Sequence, residues 1–431
     1  MTVAAEHRLN PSESRKAIVA GSVGNFIEWY DFAVYGYMAK VLGEVFFPSE
    51  DPVVSLLSSF GVFAVAFFFR PLGALLFGLM GDSAGRRPTL VVIQLSMAVS
   101  TTAIGFLPSY EAASLFAPVL LVLCRAVQGL SAGGEYGGAV SLMVEYAPRS
   151  KRGFYGSWQS FSVGLGLLGG VSIATFLTTV LSADAMQTWG WRVPFLVGAL
   201  LGPIALFLRL RVEETPVFRQ LKKERESRIT GSAEIPAGHI GKIFHSIGAI
   251  LGWTCAGYVF LIVMPSYLSE VLKMPDSRSL LATFVANAAF TAFIPVFGML
   301  SDIFGRRNIM LIGAVGIFAG SYPLFLALSL PGLLPKLFAL FVAGTLVAAF
   351  AGPGPAMMSE LFATERRFSG LSLGYSLSTA AFGGTAPFIV TWLTNISGDP
   401  RAAAFYVMAG AAVSVLALSR LRRDGHLAPL R

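Results

Sequence analysis

Gly78-Leu79-Met80-Gly81-Asp82-Ser83-Ala84-Gly85-Arg86-Arg87 closes one long apolar run, and Gly298-Met299-Leu300-Ser301-Asp302-Ile303-Phe304-Gly305-Arg306-Arg307 closes another. The two aspartates are 220 positions apart. A second pair of segments, Glu145-Tyr-Ala-Pro-Arg149-Ser-Lys151-Arg152 and Glu360-Leu-Phe-Ala-Thr-Glu365-Arg366-Arg367, repeats at a spacing of 215. Two matching pairs at nearly one offset point to a duplicated unit, and parallel repeats of this kind are a transporter architecture.

The surroundings of these motifs are apolar. Hydrophobic residues make up 55% of the chain and charged residues only 13%, with mean hydropathy +0.68. A soluble domain carries roughly a quarter charged residues, so this composition belongs to a membrane protein. A span needs about 20 mostly apolar residues. Twelve such runs are expected near 17–40, 54–80, 88–108, 115–145, 154–181, 190–211, 241–270, 279–301, 308–330, 333–361, 368–394 and 402–421. They should be helices, because a backbone in lipid has to satisfy its own hydrogen bonds. A β-barrel would instead show ~10-residue alternating segments. The polar segment 212–240 divides the spans six and six, which gives domains 1–211 and 241–431 joined by a linker. No cleavable leader is expected, since the first apolar run is of full span length and carries Glu28 and Asp31.

Of the 32 Lys and Arg, two (Arg70 and Arg125) lie within spans. The other 30 divide 24 to 6 between the two sides, with the larger share on the side of the termini. The positive-inside rule puts both termini in the cytoplasm of a plasma membrane, and explains most of the net charge of +8 without nucleic acid. Cys124 and Cys255 fall within spans and form no disulfide or zinc pattern. Neither a phosphate-binding loop nor a nucleophile–base pattern is present, so an enzyme or an ATP-driven pump is not expected, and neither a cofactor nor a metal is called for.

The motifs carry a resemblance. G-x-x-x-D-x-x-G-R-R after spans 2 and 8 resembles the signature loop of the major facilitator superfamily, and Arg125-Ala-Val-Gln128-Gly129-Leu-Ser-Ala-Gly133 its R-x-x-Q-G-x-x-x-G motif. Gly24-Asn25-Phe-Ile-Glu28-Trp29-Tyr30-Asp31, Phe69-Arg70-Pro71, Gly133-Gly134-Glu135-Tyr136-Gly137, Gly153-Phe154-Tyr155-Gly156-Ser157-Trp158 and Trp189-Gly-Trp191-Arg192 resemble the metabolite:proton symporter family. That family includes proline/betaine, α-ketoglutarate, citrate and shikimate symporters. The resemblance implies an all-α membrane protein of twelve transmembrane helices, in two six-helix bundles related by pseudo-twofold symmetry. It also implies proton-driven import of a small polar metabolite through alternating access, in the bacterial cytoplasmic membrane. The chain departs from the superfamily pattern at Ser83 and Ile303, where a basic residue is usual. A long C-terminal coiled coil, present in osmosensing members, is not expected after span 12.

A charge at the bilayer centre costs at least ~2.5–3.5 kcal/mol and is tolerated beside a partner or in a watery cavity. Asn25, Glu28, Asp31 and Tyr35 are spaced by three and four, which places them along one face of span 1. Glu28 then lies roughly 15 Å in, at mid-membrane. Glu28, Asp31 and Glu135 are the candidate proton carriers; the alternative for the first two is a structural ion pair with Arg70 or Arg125. Asn25, Arg70, Arg125, Gln128, Tyr136, Trp158 and Tyr375 are candidates for lining a substrate cavity, and Arg70 has the alternative of snorkelling to the interface. Asp82, Arg86, Arg87, Glu145, Arg149, Arg152, Asp302, Arg306, Arg307, Glu360, Arg366 and Arg367 form an expected cytoplasmic gate. Pro265, Pro295 and Gly352-Pro353-Gly354-Pro355 are expected to break their spans. The run Ser372–Gly384 resembles the citrate and α-ketoglutarate members, which favours an organic acid; a zwitterion such as proline or betaine, whose ammonium would suit aromatic faces, is the alternative. The expected partners are thus lipid, protons and a small solute, and a monomer suffices. An efflux antiporter is disfavoured, because Gly164-Leu-Gly166-Leu-Leu-Gly169-Gly170 lacks a proline, and a non-transporting sensor lacks a signalling domain.

Overall fold

The computed structural model describes residues 11–210 and 239–421, and among these the chain forms helices and no strand. The first six spans are Pro11–Tyr37, Pro52–Ser83, Arg86–Gly105, Phe116–Glu145, Arg152–Val180 and Arg192–Leu210. The second six are His239–Val271, Asp276–Phe304, Arg306–Ser329, Leu334–Leu361, 367–397 and Ala403–Ser419. Ten of the twelve are long and apolar enough to cross a membrane by composition alone. The other two are span 1, which carries Asn25, Glu28 and Asp31, and span 11, which carries Ser369, Ser372, Ser376, Ser378 and Thr379. Both are packed among other helices, so these polar side chains are buried in protein rather than exposed to lipid. Segment 212–240, the expected linker, falls almost wholly outside the described residues.

The motif turns repeat in geometry as well as in sequence. Gly85 and Gly305 have φ of 118° and 87° and precede the first residues of spans 3 and 9. A side chain is strained in that conformation, which is why the D-x-x-G spacing keeps glycine there. The end of the bundle that carries these turns is called the motif face below.

Small residues let the helices approach closely. A Cβ at Gly129 on span 4 would lie 2.0 Å from the Ala66 carbonyl oxygen on span 2. A Cβ at Gly344 on span 10 would lie 2.2 Å from the Ala286 carbonyl oxygen on span 8. These contacts are related by the same separations, 215 and 220, that relate the sequence motifs. The duplication is therefore built into the packing of each half.

The halves meet along two related seams, span 11 against spans 2 and 4, and spans 8 and 10 against span 5. Gly78 faces Ser369 in the first seam, and Gly298 faces Ser157 in the second. Irregular backbone is concentrated in the second half. Span 7 has π-helical turns at Tyr258–Val263 and Tyr267–Val271, separated by the single turn that holds Pro265. Span 11 has one at Thr379–Gly383, and span 10 is interrupted between Ala351 and Gly354. Pro295 differs from expectation: it sits inside the continuous helix Asp276–Phe304.

Because the space at Gly129 is filled by backbone, Gly129→Val should lower the thermal unfolding temperature of the purified protein, at an overpacking cost of about 1–3 kcal/mol. Gly61→Ala, where a Cβ meets nothing within 4 Å, should leave it unchanged.

Candidate functional site

The span 1 residues reach three different spans rather than one shared partner. Asn25 donates to the Gln159 carbonyl at 2.9 Å and the Ser162 hydroxyl at 2.8 Å, both on span 5. Glu28 forms a hydrogen-bonded ion pair with Arg70 of span 2. Asp31 accepts from the Thr101 hydroxyl of span 3. Tyr35 donates to the Ser59 carbonyl at 3.2 Å. The two carboxylates are therefore held apart, one on a cation and one on a hydroxyl.

Arg125 and Gln128 join the Asp31 group. The Arg125 guanidinium donates to Gln128 Oε1 at 2.7 Å, and Gln128 Nε2 donates to Thr101 Oγ1 at 2.9 Å. A chain of polar contacts thus runs from Arg125 through Gln128 and Thr101 to Asp31. The guanidinium also lies 4.3 Å from the Tyr35 ring centroid and 4.7 Å from that of Phe32. Arg70 is fully buried, so it does not snorkel. It sits among the rings of Phe32, Phe67, Tyr375 and Trp29 at 5.1, 5.3, 5.7 and 5.8 Å.

Glu135 pairs with Arg209, which also donates to the Leu90 carbonyl at 3.0 Å. Arg209 falls by its sequence position among the 24 cations of the termini side, yet it is buried at the end of span 6. Gly24 makes room for it, since a Cβ there would lie 1.6 Å from Arg209 Nη2. The signal available in the sequence is numerical: three acids within spans, Glu28, Asp31 and Glu135, face only two arginines within spans, Arg70 and Arg125.

A central cavity of about 30 Å3 lies between the halves, with room for about two waters. Its aromatic lining is Trp29 from the first half and Trp253, Tyr258, Phe290 and Tyr375 from the second, with the hydroxyls of Ser160, Thr254 and Thr379 between them. Among the described residues, lysine, arginine and histidine are absent from this lining. Arg70 stands just behind it, next to the Trp29 and Tyr375 rings. Trp158 is not part of the lining: it packs on Phe154 and Phe161 of its own helix, while Ser160, about 200° further round, faces the cavity. Asn25, Arg125 and Gln128 are likewise held inside the first half by the bonds above rather than at the cavity wall. Tyr136 stacks on Tyr375 across the halves, with centroids 3.8 Å apart and planes within 7°, and so floors the cavity on the motif side.

Both ends are closed. At the motif face, Asp82 accepts from the Ser369 amide at 3.2 Å, and Asp302 from the Gly153 and Phe154 amides at 2.8 and 2.9 Å. Each motif aspartate thus caps the N-terminus of a helix in the opposite half, where amide groups are unpaired and the dipole favours an anion. Arg86 bonds Asp82 and Glu145 at 3.3 and 3.4 Å and reaches across to the Thr364 carbonyl at 3.2 Å. Arg306 bonds Asp302 and Glu360 at 2.8 and 3.4 Å. Arg367 crosses the halves to Glu145 at 3.1 Å, and Arg152 is buried within electrostatic range of Glu360. The second arginine of each motif does something else. Arg87 donates to the Leu210 carbonyl at 2.5 Å, and Arg307 to those of Leu418 and Ser419 at 3.1 and 3.0 Å. They hold the C-terminal ends of spans 6 and 12, each within its own half. Arg149 is exposed and Arg366 half-buried at the rim.

Sequence reading missed the closure at the opposite face. Tyr37 donates to the Leu261 carbonyl at 2.6 Å and accepts from Asn287 at 2.9 Å. Lys40 pairs with Glu270 at 3.2 Å and Asp276 at 3.7 Å. A lone lysine just past the end of span 1 gives no sign of partners 230 residues away.

The sugar (and other) transporter family model matches residues 16–236, and the major facilitator superfamily model matches residues 254–429. The proline/betaine transporter of Salmonella typhimurium is 36% identical over 418 residues, 95% of this chain and 83% of that protein. The chain belongs to the major facilitator superfamily. The glycine betaine/proline/ectoine/pipecolic acid transporter OusA of Dickeya dadantii is 36% identical over 411 residues, covering 93% of this chain and 82% of that one. The proton:xylose symporter XylE bound to 6-bromo-6-deoxy-D-glucose has the same fold, with TM-score 0.74 at 20% identity over 95% of each chain. The expected membership and fold are confirmed, and the chain is a membrane transporter of this superfamily rather than an enzyme. The preference for an organic acid drawn from span 11 is not supported: the relatives named here carry proline and betaine in their names.

Asp302→Asn places an NH2 group against one of two amide donors and removes the charge. A loss of about 1–2 kcal/mol shifts a two-state balance about 5–30-fold. With Cys124 and Cys255 replaced by alanine, maleimide labelling of a cysteine at position 160 should accelerate by that factor.

Proposed function

We propose that the chain imports a zwitterion such as proline or betaine together with a proton. The observation that carries this reading is an aromatic cavity with one arginine behind it, already shared with a buried glutamate. An alkylated ammonium is attracted to the faces of Trp29, Trp253, Tyr258 and Tyr375. A single carboxylate matches the single guanidinium of Arg70. A di- or tricarboxylate would need further cations, and the described residues of the lining include none. The proline/betaine relatives support the same choice.

Coupling follows from competition for Arg70. When the carboxylate of the solute takes the guanidinium, Glu28 loses its partner in a low-dielectric interior and binds a proton. The Arg70–Glu28 pair plus solute and proton becomes an Arg70–solute pair and a neutral Glu28, so charge is conserved. Asp31 and Glu135 are the other proton carriers in this reading, with Arg125 and Gln128 setting the environment of Asp31. Tyr136 and Tyr375 separate the cavity from the motif face. The excess of loop cations assigns the motif face and both termini to the cytoplasm of a plasma membrane. The motif network is then the cytoplasmic gate, residues 212–240 join domains 1–211 and 241–431, and one copy is sufficient.

The purified protein in liposomes, with an imposed inward proton gradient, should accumulate labelled proline or betaine and not citrate or α-ketoglutarate. A protonophore should abolish accumulation. Trp253→Ala should weaken betaine binding about tenfold, ~1.4 kcal/mol. Uptake of the acids alone, or uptake driven by a sodium gradient alone, would overturn the proposal.

A further inference from the structure

A second, smaller cavity lies inside the first half, away from the seam between the halves. It measures about 10 Å3, close to the space of one water, and is lined by Gly24, Glu28, Gln94, Ser131 and Glu135 among apolar neighbours. Three polar atoms of these lining residues are buried without a protein partner: Glu28 Oε2, Glu135 Oε2 and Gln94 Nε2. On each glutamate the other oxygen is held by an arginine, Arg70 for Glu28 and Arg209 for Glu135. The two acids also lie within electrostatic range of each other. Two carboxylates, each fixed at one oxygen and unpartnered at the other, thus share a pocket with an amide.

The position of the second pair gives the pocket a direction. Arg209 bonds the Leu90 carbonyl, four residues or ~6 Å into span 3 from its start at the motif face. Tyr136, the next residue after Glu135, points the other way and stacks on Tyr375 under the central cavity. The two neighbouring side chains of span 4 therefore serve different compartments, one inside the first half and one at the seam.

We propose that Glu28, Gln94 and Glu135 form a proton relay inside the first half, which leads from the central cavity to the motif face by a route separate from that of the solute. Once the solute has left Arg70, neutral Glu28 gives its proton through one bridging water to the Glu135 carboxylate. Glu28 returns as a carboxylate to Arg70, and Glu135 becomes neutral and leaves Arg209. Glu135 then releases the proton towards the motif face and recovers its pair with Arg209. One O–H bond forms for each that breaks, and the net charge of the four groups is the same before and after the internal transfer. Gln94 and Arg209 are positioning residues: the amide orients the bridging water, and the guanidinium stabilises the carboxylate that follows release.

The relay rests on the proton-coupled reading above, and two measurements on the same liposomes separate them. Counterflow, the exchange of labelled for unlabelled proline at equal pH, needs no proton release. Proton entry on solute addition, read with a trapped pH dye, does. Gln94→Met and Glu135→Gln keep the side-chain volume; both should retain counterflow and lose proton entry at least roughly tenfold. Glu135→Asp should recover part of the proton entry that Glu135→Gln loses. Proton entry at the wild-type rate in Gln94→Met and Glu135→Gln would overturn the relay and leave the proposed function intact. Loss of counterflow and proton entry together, in variants whose thermal unfolding is unchanged, would also overturn it. Wild-type counterflow without any proton entry would overturn the proposed coupling and the relay with it.

Discussion

A carboxylate buried in a membrane protein is costly to keep ionised unless a cation pairs with it, and the pairing of Glu28 with Arg70 is the contact on which the rest of this molecule depends. Removing one partner from such a pair costs several kcal/mol, because the other is left charged in a medium that cannot solvate it. Apart from the motif network, the buried charges of the described residues all belong to the first half: Glu28, Asp31, Arg70, Arg125, Glu135 and Arg209. The second half contributes aromatic rings and interrupted helices instead. The two repeats share a packing scheme and have divided the chemistry between them.

Closure at the motif face rests on a different kind of bond. Asp82 and Asp302 hold backbone amides of the opposite half, so each bond is lost when the halves part and is remade with water on opening. A hydrogen bond to a charged group contributes about 1.5–3 kcal/mol net, and a few of them hold a gate shut without making it irreversible. Lys40 with Glu270 and Asp276 at the opposite face is weaker, being partly exposed to solvent. With both ends shut around a cavity with room for about two waters, the described state is closed at both faces.

Much of this was legible in the sequence, and the gaps have physical causes. The repeated D-x-x-G-R-R segments and the twelve apolar runs were sufficient for the fold, because span length and repeat spacing are both set by the bilayer. Glu28, Asp31, Arg70, Arg125 and Glu135 stood out because charge in an apolar run is costly. Their partners did not, because spacing along one helix says which way a side chain points and not which helix lies there. Asn25, Glu28 and Asp31, read as one face, each meet a different span. Arg209 was hidden by its place at the end of a span, where a basic residue normally marks the interface. The amide partners of Asp82 and Asp302 were invisible because backbone groups carry no sequence signal. Arg87 and Arg307, identical in type to their neighbours Arg86 and Arg306, differ in role only through the helix end that each one reaches.

The central claim is that solute and Glu28 compete for Arg70, so that binding the one requires protonating the other. It is tested most directly by adding proline or betaine to the detergent-solubilised protein in weakly buffered solution near neutral pH and following the pH. The account predicts uptake of about one proton per solute bound, and none in Glu28→Gln. Saturable binding to the unaltered protein with no change in pH would contradict it.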